Sequence, residues 1–443
     1  MADDYWDREL DTLPWAEVLD WQRAQLPGFL DALCARSPHH ADRLAGVDTA
    51  RAADPQVWAS VPTTDKADLR QAQEDGPEAL LGRGQAVPDD QVVQVIASSG
   101  TTGTPTFFGL TAHDRQAWEH SIANMYYTAG VRPDSVVAHT VGMPMVAGGL
   151  PYADAVRRIG ATLVWVGGQT TARIAEIFAR LRVDTMICTA SYATFLAERI
   201  GQESGSAAAE LGLRTLIGGG EPGLAQPQIR DGVQAAWGGP RISETMGLGD
   251  VMSGMWAECE AGQGMHFTGA RNVMVELIDP HTGDPLPWRT GVRGEAVYTT
   301  FTREATPVVR YRSKDHMEVV GTECACGRTA PRAHCIGRTD DMLIYKAMNV
   351  FPSAIRDVVL DTADGRVAGP LRIRKETAEQ VRFEDPIPVE IETAAEGPAR
   401  TDLAAEIEDA VRLQLRVRIA VEAVPVGSLP VSQYKSPLVY TRS

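Results

Sequence analysis

The sequence predicts an α/β protein: a large N-terminal domain with parallel-containing sheets flanked by helices plus a β-rich layer, and a small α+β C-terminal domain. Three observations predict it. A chain of 443 residues is long enough for two to three domains at about 150 residues each. Between Asp134 and Gly220, short apolar runs alternate with stretches of helical periodicity, the βαβα order of a parallel sheet covered by helices. After Asp279 the apolar runs shorten and turn residues separate them, as in an antiparallel or mixed β layer.

Element by element, the first ~90 residues read as helical, with Trp6, Leu10, Leu13 and Trp15 opening an apolar face. Residues 92–96 form a strand, and 136–138 and 161–166 two more. A helix is predicted over 171–181, a buried strand over 185–188, a helix over 192–200 and a strand over 213–217. Two of these strands run into glycine, at Gly167-Gly168 and Gly218-Gly219-Gly220. Ligands collect at the carboxyl ends of parallel strands, where glycine admits them to the backbone. Residues 273–278, 294–300 and 308–311 read as short strands. From about Thr339 the C-terminal unit begins, with strands at 371–373 and 389–391 and a helix whose Leu403, Ile407, Val411 and Leu415 share one face. The domains are placed at 1–339 and 340–443.

Composition excludes several classes. Apolar residues at 44% and charged residues at 23% describe a folded chain. With 42 basic against 58 acidic residues, the net charge of −16 argues against a dedicated nucleic-acid binder. Six cysteines are too few for a disulfide scaffold. The acidic start lacks a signal-peptide pattern. The uncharged stretch 135–153 contains His139, Pro144 and Pro151, which argues against a membrane span. The expectation is a cytoplasmic protein with no membrane or nucleic-acid partner.

The most informative segment is Ala97-Ser98-Ser99-Gly100-Thr101-Thr102-Gly103-Thr104-Pro105-Thr106. Hydroxyls and glycines follow an apolar strand, so backbone N–H groups and hydroxyls can turn toward phosphate oxygens. An ordinary polar surface loop has the same composition. No Lys follows the second glycine as G-x-x-x-x-G-K-[ST] requires.

Further motifs follow in order: Gly219-Gly220-Glu221-Pro222, Ser243-Glu244-Thr245-Met246-Gly247, the segment from Pro307 to Asp315, Gly337-Arg338-Thr339-Asp340-Asp341, and Lys435 in a Gly/Ser/Pro-rich tail. Together, from Tyr5-Trp6-Asp7 to Lys435, they resemble the adenylate-forming superfamily, and within it the phenylacetate–CoA ligase family. The resemblance implies an ATP-dependent acid–CoA ligase that activates an aromatic or arylacetic-type carboxylic acid as acyl-AMP, then passes it to the CoA thiol. It implies that Ser98, Ser99, Gly100, Thr101, Thr102 and Gly103 bind the ATP phosphates. Gly219, Gly220, Glu221 and Pro222 would lie against adenine, with Ser243 nearby. Asp315 would take the ribose hydroxyls, which its paired acceptor oxygens suit; a capped turn is the plain alternative. Glu244 would hold Mg²⁺ as a hard oxygen ligand, against a surface or capping role. Arg338 would contact phosphate or ribose as a fork donor, or form a structural salt bridge. Asp340 would be the hinge of a mobile C-terminal domain. Lys435 would enter the site for adenylation, where an ammonium meets developing negative charge; a solvated tail lysine is the alternative. A carrier-protein thiol or an amine is the alternative acceptor, and a non-catalytic nucleotide or acyl-ligand sensor the reading from a different class. A homodimer is compatible with the sequence.

The chain departs from the family pattern at three places. Pro240-Arg241-Ile242 stands where the family has Tyr-Gly-Leu, leaving Arg241 as a candidate to stack on adenine. Thr104 replaces a lysine common after the second loop glycine, and Lys346-Ala347-Met348 replaces Arg-Gly-Val.

Cys324-x-Cys326, with Cys259 and His266, supplies a thiolate–imidazole set suited to tetrahedral zinc. In a subset of the family such residues hold a structural zinc; free buried cysteines are the alternative. Cys335 with His334 competes for a ligand position, and Cys34 and Cys188 read as core residues. By resemblance, 139–152 corresponds to the acid pocket, with Met143, Met145, Gly148, Gly149, Pro151 and Tyr152 forming an apolar wall. Ordinary core packing explains any one of these equally well. His139 reads as a satisfied structural histidine.

Overall fold

The computed structural model describes residues 4–76, 78–98, 105–142, 145–204, 207–221, 224–339, 341–346, 348–377, 380–429 and 438–441. Ser99, Gly100, Thr101, Thr102, Gly103, Met143, Pro222, Asp340 and Lys435 lie outside the described residues.

One twelve-stranded sheet organises the large domain. Five strands run parallel in the order Thr162–Trp165, Val136–His139, Thr185–Cys188, Thr215–Gly219 and Arg241–Leu248. The sheet then continues antiparallel through Met252–Glu258, Met265–Phe267, Arg332–Arg338, Tyr311–Gly321, Arg293–Thr299, Met274–Ile278 and Pro285–Leu286. The β-rich layer therefore joins the parallel half edge to edge. Alternation explains the longest member: along Tyr311–Gly321 every second residue is buried.

Helices cover the parallel half. Helix Thr171–Leu181 begins where Thr170 accepts the Arg173 N–H and ends at Arg182 in the left-handed region. Its Ile174, Ala175 and Phe178 point inward, and burying a side chain the size of Ile or Phe contributes about 1.5–3 kcal/mol. Near the N-terminus Leu10 is buried, while Trp6, Leu13 and Trp15 pack partly buried against the main core.

The C-terminal unit has its own core. A sheet of Ile419–Pro425, Ile387–Thr393, Val367–Lys375 and Val439–Thr441 packs with helices Pro352–Ala363 and Pro398–Leu415. Leu403, Ile407 and Val411 are buried along the face read from the sequence.

Residues 308–310 are not part of a strand, which starts at Tyr311. Thr64 intervenes, donating its N–H to Arg310 O at 3.0 Å and accepting from Arg312 N at 2.8 Å. Arg310 takes φ 45° to make that turn. The strand expected over 92–96 lies at Gln94–Ser98, paired antiparallel with Thr106–Leu110. Among the described residues, no helix is long and apolar enough to cross a membrane.

Candidate active site

Ser98 ends its strand beside two charged groups. Lys66 Nζ donates to Ser98 Oγ at 3.0 Å and lies 3.5 Å from Asp250 Oδ2. Tyr311 donates its hydroxyl to the same Asp250 oxygen at 2.8 Å, and burial pushes the Tyr311 phenol up, so it stays a donor. Asp250 is 6% exposed, and its other oxygen, Oδ1, is buried with no hydrogen-bond partner among the described residues. A buried carboxylate oxygen without a donor is costly, and in a site it marks a place for a ligand.

The backbone aims Asp250 there. It sits at the tip of the tight turn joining strands Arg241–Leu248 and Met252–Glu258. Gly247 is required, because a Cβ there would run into the Ser253 backbone. At Gly249 a Cβ would stand 3.3 Å from Ala147 and 3.4 Å from Ser98, so the turn lies close against strand Gln94–Ser98. Arg303 braces the turn from beneath, donating to the carbonyls of Asp250 at 3.0 Å and Val251 at 3.2 Å.

Glu244 pairs with Gly218, just before the glycine turn at the carboxyl end of strand Thr215–Gly219. Its carboxylate faces His334 at 3.9 Å, with Glu258, Arg230 and Arg356 around it. Burial and the Glu258 charge push it up to about 7. Ser243 is fully buried and spends its hydroxyl on Glu258 O at 2.7 Å. Arg241 cannot stack on adenine. It lies at the amino end of a parallel strand and donates to Ala129 O, away from the carboxyl ends where ligands collect. A second acidic candidate follows in Gly247-Leu248-Gly249-Asp250.

The glycine turn after strand Thr215–Gly219 lies alongside. Gly219 must be glycine, since a Cβ would meet Thr245 O at 2.6 Å, and Gly220 has φ +83°. Glu221 accepts from Ser191 N and Ser191 Oγ, both at 2.6 Å, at the start of helix Ala190–Ser204. Asp315 and Arg338 face each other across paired strands, with Arg338 Nη1 donating to Asp315 Oδ1 at 2.9 Å. The salt-bridge reading of Arg338 thus describes this conformation.

The predicted acid-pocket residues gather near the same strand. Met145 O accepts from Ala97 N at 2.7 Å, and Met145 is half exposed. Gly149 precedes helix Leu150–Ile159, with Pro151 in its first turn. Tyr152 donates to Ser253 O at 2.7 Å and stands edge-on to Tyr126, ring centroids 5.4 Å apart. At Gly148 a Cβ would come within 3.3 Å of the Tyr152 ring. His139 is half satisfied among the described residues: Nε2 pairs with Gly149 O at 3.2 Å, Nδ1 has no partner there, and burial lowers its pKa to about 4.

Cys259, His266, Cys324 and Cys326 converge, with their ligand atoms within 4.8 Å of one another. Cys259 Sγ lies 3.6 Å from Cys324 Sγ, and Cys326 Sγ 3.5 Å from His266 Nε2. His266 Nδ1 is 2.8 Å from Ala330 O, which fixes that nitrogen as the donor and leaves Nε2 free to ligate. Cys335 is not in this group, and His334 faces Glu244 instead.

Comparison with known proteins identifies the family. The model of the AMP-binding enzyme family matches residues 32–300, and that of the AMP-binding enzyme C-terminal domain matches 347–442. The chain is 34% identical over 359 residues to phenylacetate–coenzyme A ligase of Thermus thermophilus, covering 80% of this chain and 77% of that one. A crystal structure of 2-hydroxyisobutyryl-CoA ligase in the postadenylation state superposes with TM-score 0.88 at 25% identity, covering 99% of this chain and 93% of that one. The same ligase with CoA in the thioesterification state gives TM-score 0.71 at 26% identity, covering 99% and 92%. The chain belongs to the AMP-binding, adenylate-forming enzymes, within the phenylacetate–coenzyme A ligase family.

Proposed function

We propose that this enzyme activates an aromatic or arylacetic acid, with phenylacetic acid the first to test, and passes it to CoA in the cytoplasm. ATP-dependent acid–CoA ligation through acyl-AMP is the family's chemistry. A carboxylate oxygen attacks the α-phosphorus and pyrophosphate leaves. The CoA sulfur then attacks the acyl carbon and AMP departs. Each step displaces a better leaving group than water or hydroxide.

The observation that carries the reading is the meeting of Ser98, Lys66 and Asp250 at the end of the phosphate strand. Lys66 presents an ammonium where polyphosphate charge would lie, and the Ser98 hydroxyl joins it. Asp250, whose Oδ1 has no partner among the described residues, fits Mg²⁺ better than Glu244 does, and the ion would supply charge neutralisation on the phosphates. Asp315 is assigned to the ribose and Gly219 to Glu221 to the adenine. Lys435 is assigned to the adenylation step, with rotation about Asp340 removing it for the second. Tyr152, Gly148, Gly149 and Pro151 wall the acid pocket, a flat apolar surface suited to a ring. Cys259, His266, Cys324 and Cys326 fit a closed structural zinc site, two loops tied by soft donors with an anchored histidine.

Pyrophosphate release across a panel of acids, with and without CoA, tests the reading. Release that requires phenylacetate or a close aryl acid supports it. Release without any acid, or none with any, contradicts it.

A further inference from the structure

Among the described residues, one stripe of helix Pro352–Ala363 meets the large domain. Ser353, Asp357 and Asp361 are four residues apart, so one face of the helix carries all three. Ser353 Oγ donates to Ile336 O at 2.6 Å. Asp357 lies beside Gln226, and Gln228 Nε2 donates to Asp361 Oδ1. Gln226 is the N-cap of helix Pro227–Ala236 and makes no side-chain cap bond of its own. The unsatisfied amides at that end carry partial positive charge, so two carboxylates from the other unit stand where a helix favours them. Phe351 closes the contact, its ring tilted against His316 at 4.9 Å between ring centroids.

Every one of these contacts crosses the boundary at residue 340. The superposition says which orientation they belong to. One homologous ligase matches this chain at TM-score 0.88 in its postadenylation state and at 0.71 in its thioesterification state.

We propose that Ser353, Asp357 and Asp361 form an interdomain clasp, closed on Ile336, Gln226 and Gln228, that holds the C-terminal unit in the orientation for acyl-adenylate formation. They are positioning residues, acting through the placement of the unit that carries Lys435. Opening the clasp favours the second half-reaction. The inference rests on the two-step reading above.

The test uses the full-length protein and the variants Asp361→Ala, Gln228→Ala and Asp357→Ala/Asp361→Ala. Gln228 and Asp361 are exposed, so the single variants should fold. With phenylacetate and no CoA, single-turnover pyrophosphate release should slow about threefold in each single variant and about tenfold in the double. Thioester formation from supplied phenylacetyl-adenylate and CoA should be unchanged or faster. Asp361→Asn, which keeps an acceptor for Gln228, should recover most of the single-variant loss. Equal loss in both half-reactions, or no change in either, overturns the clasp. If the unaltered enzyme releases no pyrophosphate with phenylacetate, the substrate reading fails instead, and energy transfer between dyes at exposed positions 176 and 413 then decides. A distance distribution broadened in the double variant supports the clasp; an unchanged one overturns it.

Discussion

Replacing Asp250 by Asn separates the two candidate acidic residues. Asn keeps the shape and an acceptor for the Tyr311 hydroxyl, now 2.8 Å from Oδ2. What it loses is the charge opposite Lys66, 3.5 Å away, and the ionised oxygen that no donor among the described residues satisfies. Lys66 is 28% exposed, so water compensates part of the lost ion pair, and the stability cost should be only about 1 kcal/mol. The catalytic cost is larger, because a group aimed at charge in the transition state contributes about 10²–10³-fold, or about 2.7–4 kcal/mol. The assay is single-turnover pyrophosphate release with saturating acid, alongside thermal unfolding. Asp250→Asn should lose about 10²-fold or more in rate with a melting temperature within a few degrees of the parent. Glu244→Gln, measured in parallel, should keep adenylation within about tenfold. If Glu244→Gln loses the rate and Asp250→Asn keeps it, the assignment of the phosphate-side carboxylate is refuted.

Other outcomes follow from the same geometry. Lys435→Ala should slow acyl-adenylate formation about 10²-fold while leaving thioester formation from supplied acyl-adenylate much less affected, read by the two half-reaction assays. The purified enzyme should carry about one zinc per chain by elemental analysis, and Cys324→Ser should lose both that metal and several degrees of melting temperature; a metal-free parent of unchanged stability would contradict the site. His139 is held neutral by burial, with its pKa lowered from 6.5 to about 4. The unfolded chain therefore binds this proton first as pH falls from 6.5 toward 4. Stability present above pH 6.5 should be lost across that window, by on the order of 2–3 kcal/mol. His139→Gln should flatten that slope in denaturant titrations at several pH values.

Much of the fold was legible because local pattern and tertiary demand agreed. Helix Thr171–Leu181 and strand Thr185–Cys188 fall on the residues their periodicity marks, and Leu403, Ile407 and Val411 line one buried face. Residues 308–310 misled because an apolar run says nothing of a distant partner, and Thr64 takes the backbone bonds a strand would need. The metal set was readable from residue type, but only folding shows that loops more than fifty residues apart bring Cys259 and Cys326 together. The acidic motif leaves two carboxylates in play: Glu244 pairs with Gly218 at the carboxyl end of the neighbouring parallel strand, and Asp250 stands in the turn that follows the same strand. Lys66 was silent in the sequence because nothing near it in the chain marks a site. Only its 3.0 Å bond to Ser98 does.

The central claim is that a carboxylate attacks the α-phosphate before any thioester forms. Phenylacetate labelled with ¹⁸O in both carboxylate oxygens, turned over with ATP and CoA, tests it by mass spectrometry of the nucleotide. The expected result is AMP carrying one ¹⁸O per turnover. Unlabelled AMP, or label appearing in phosphate with ADP as the product, would contradict it.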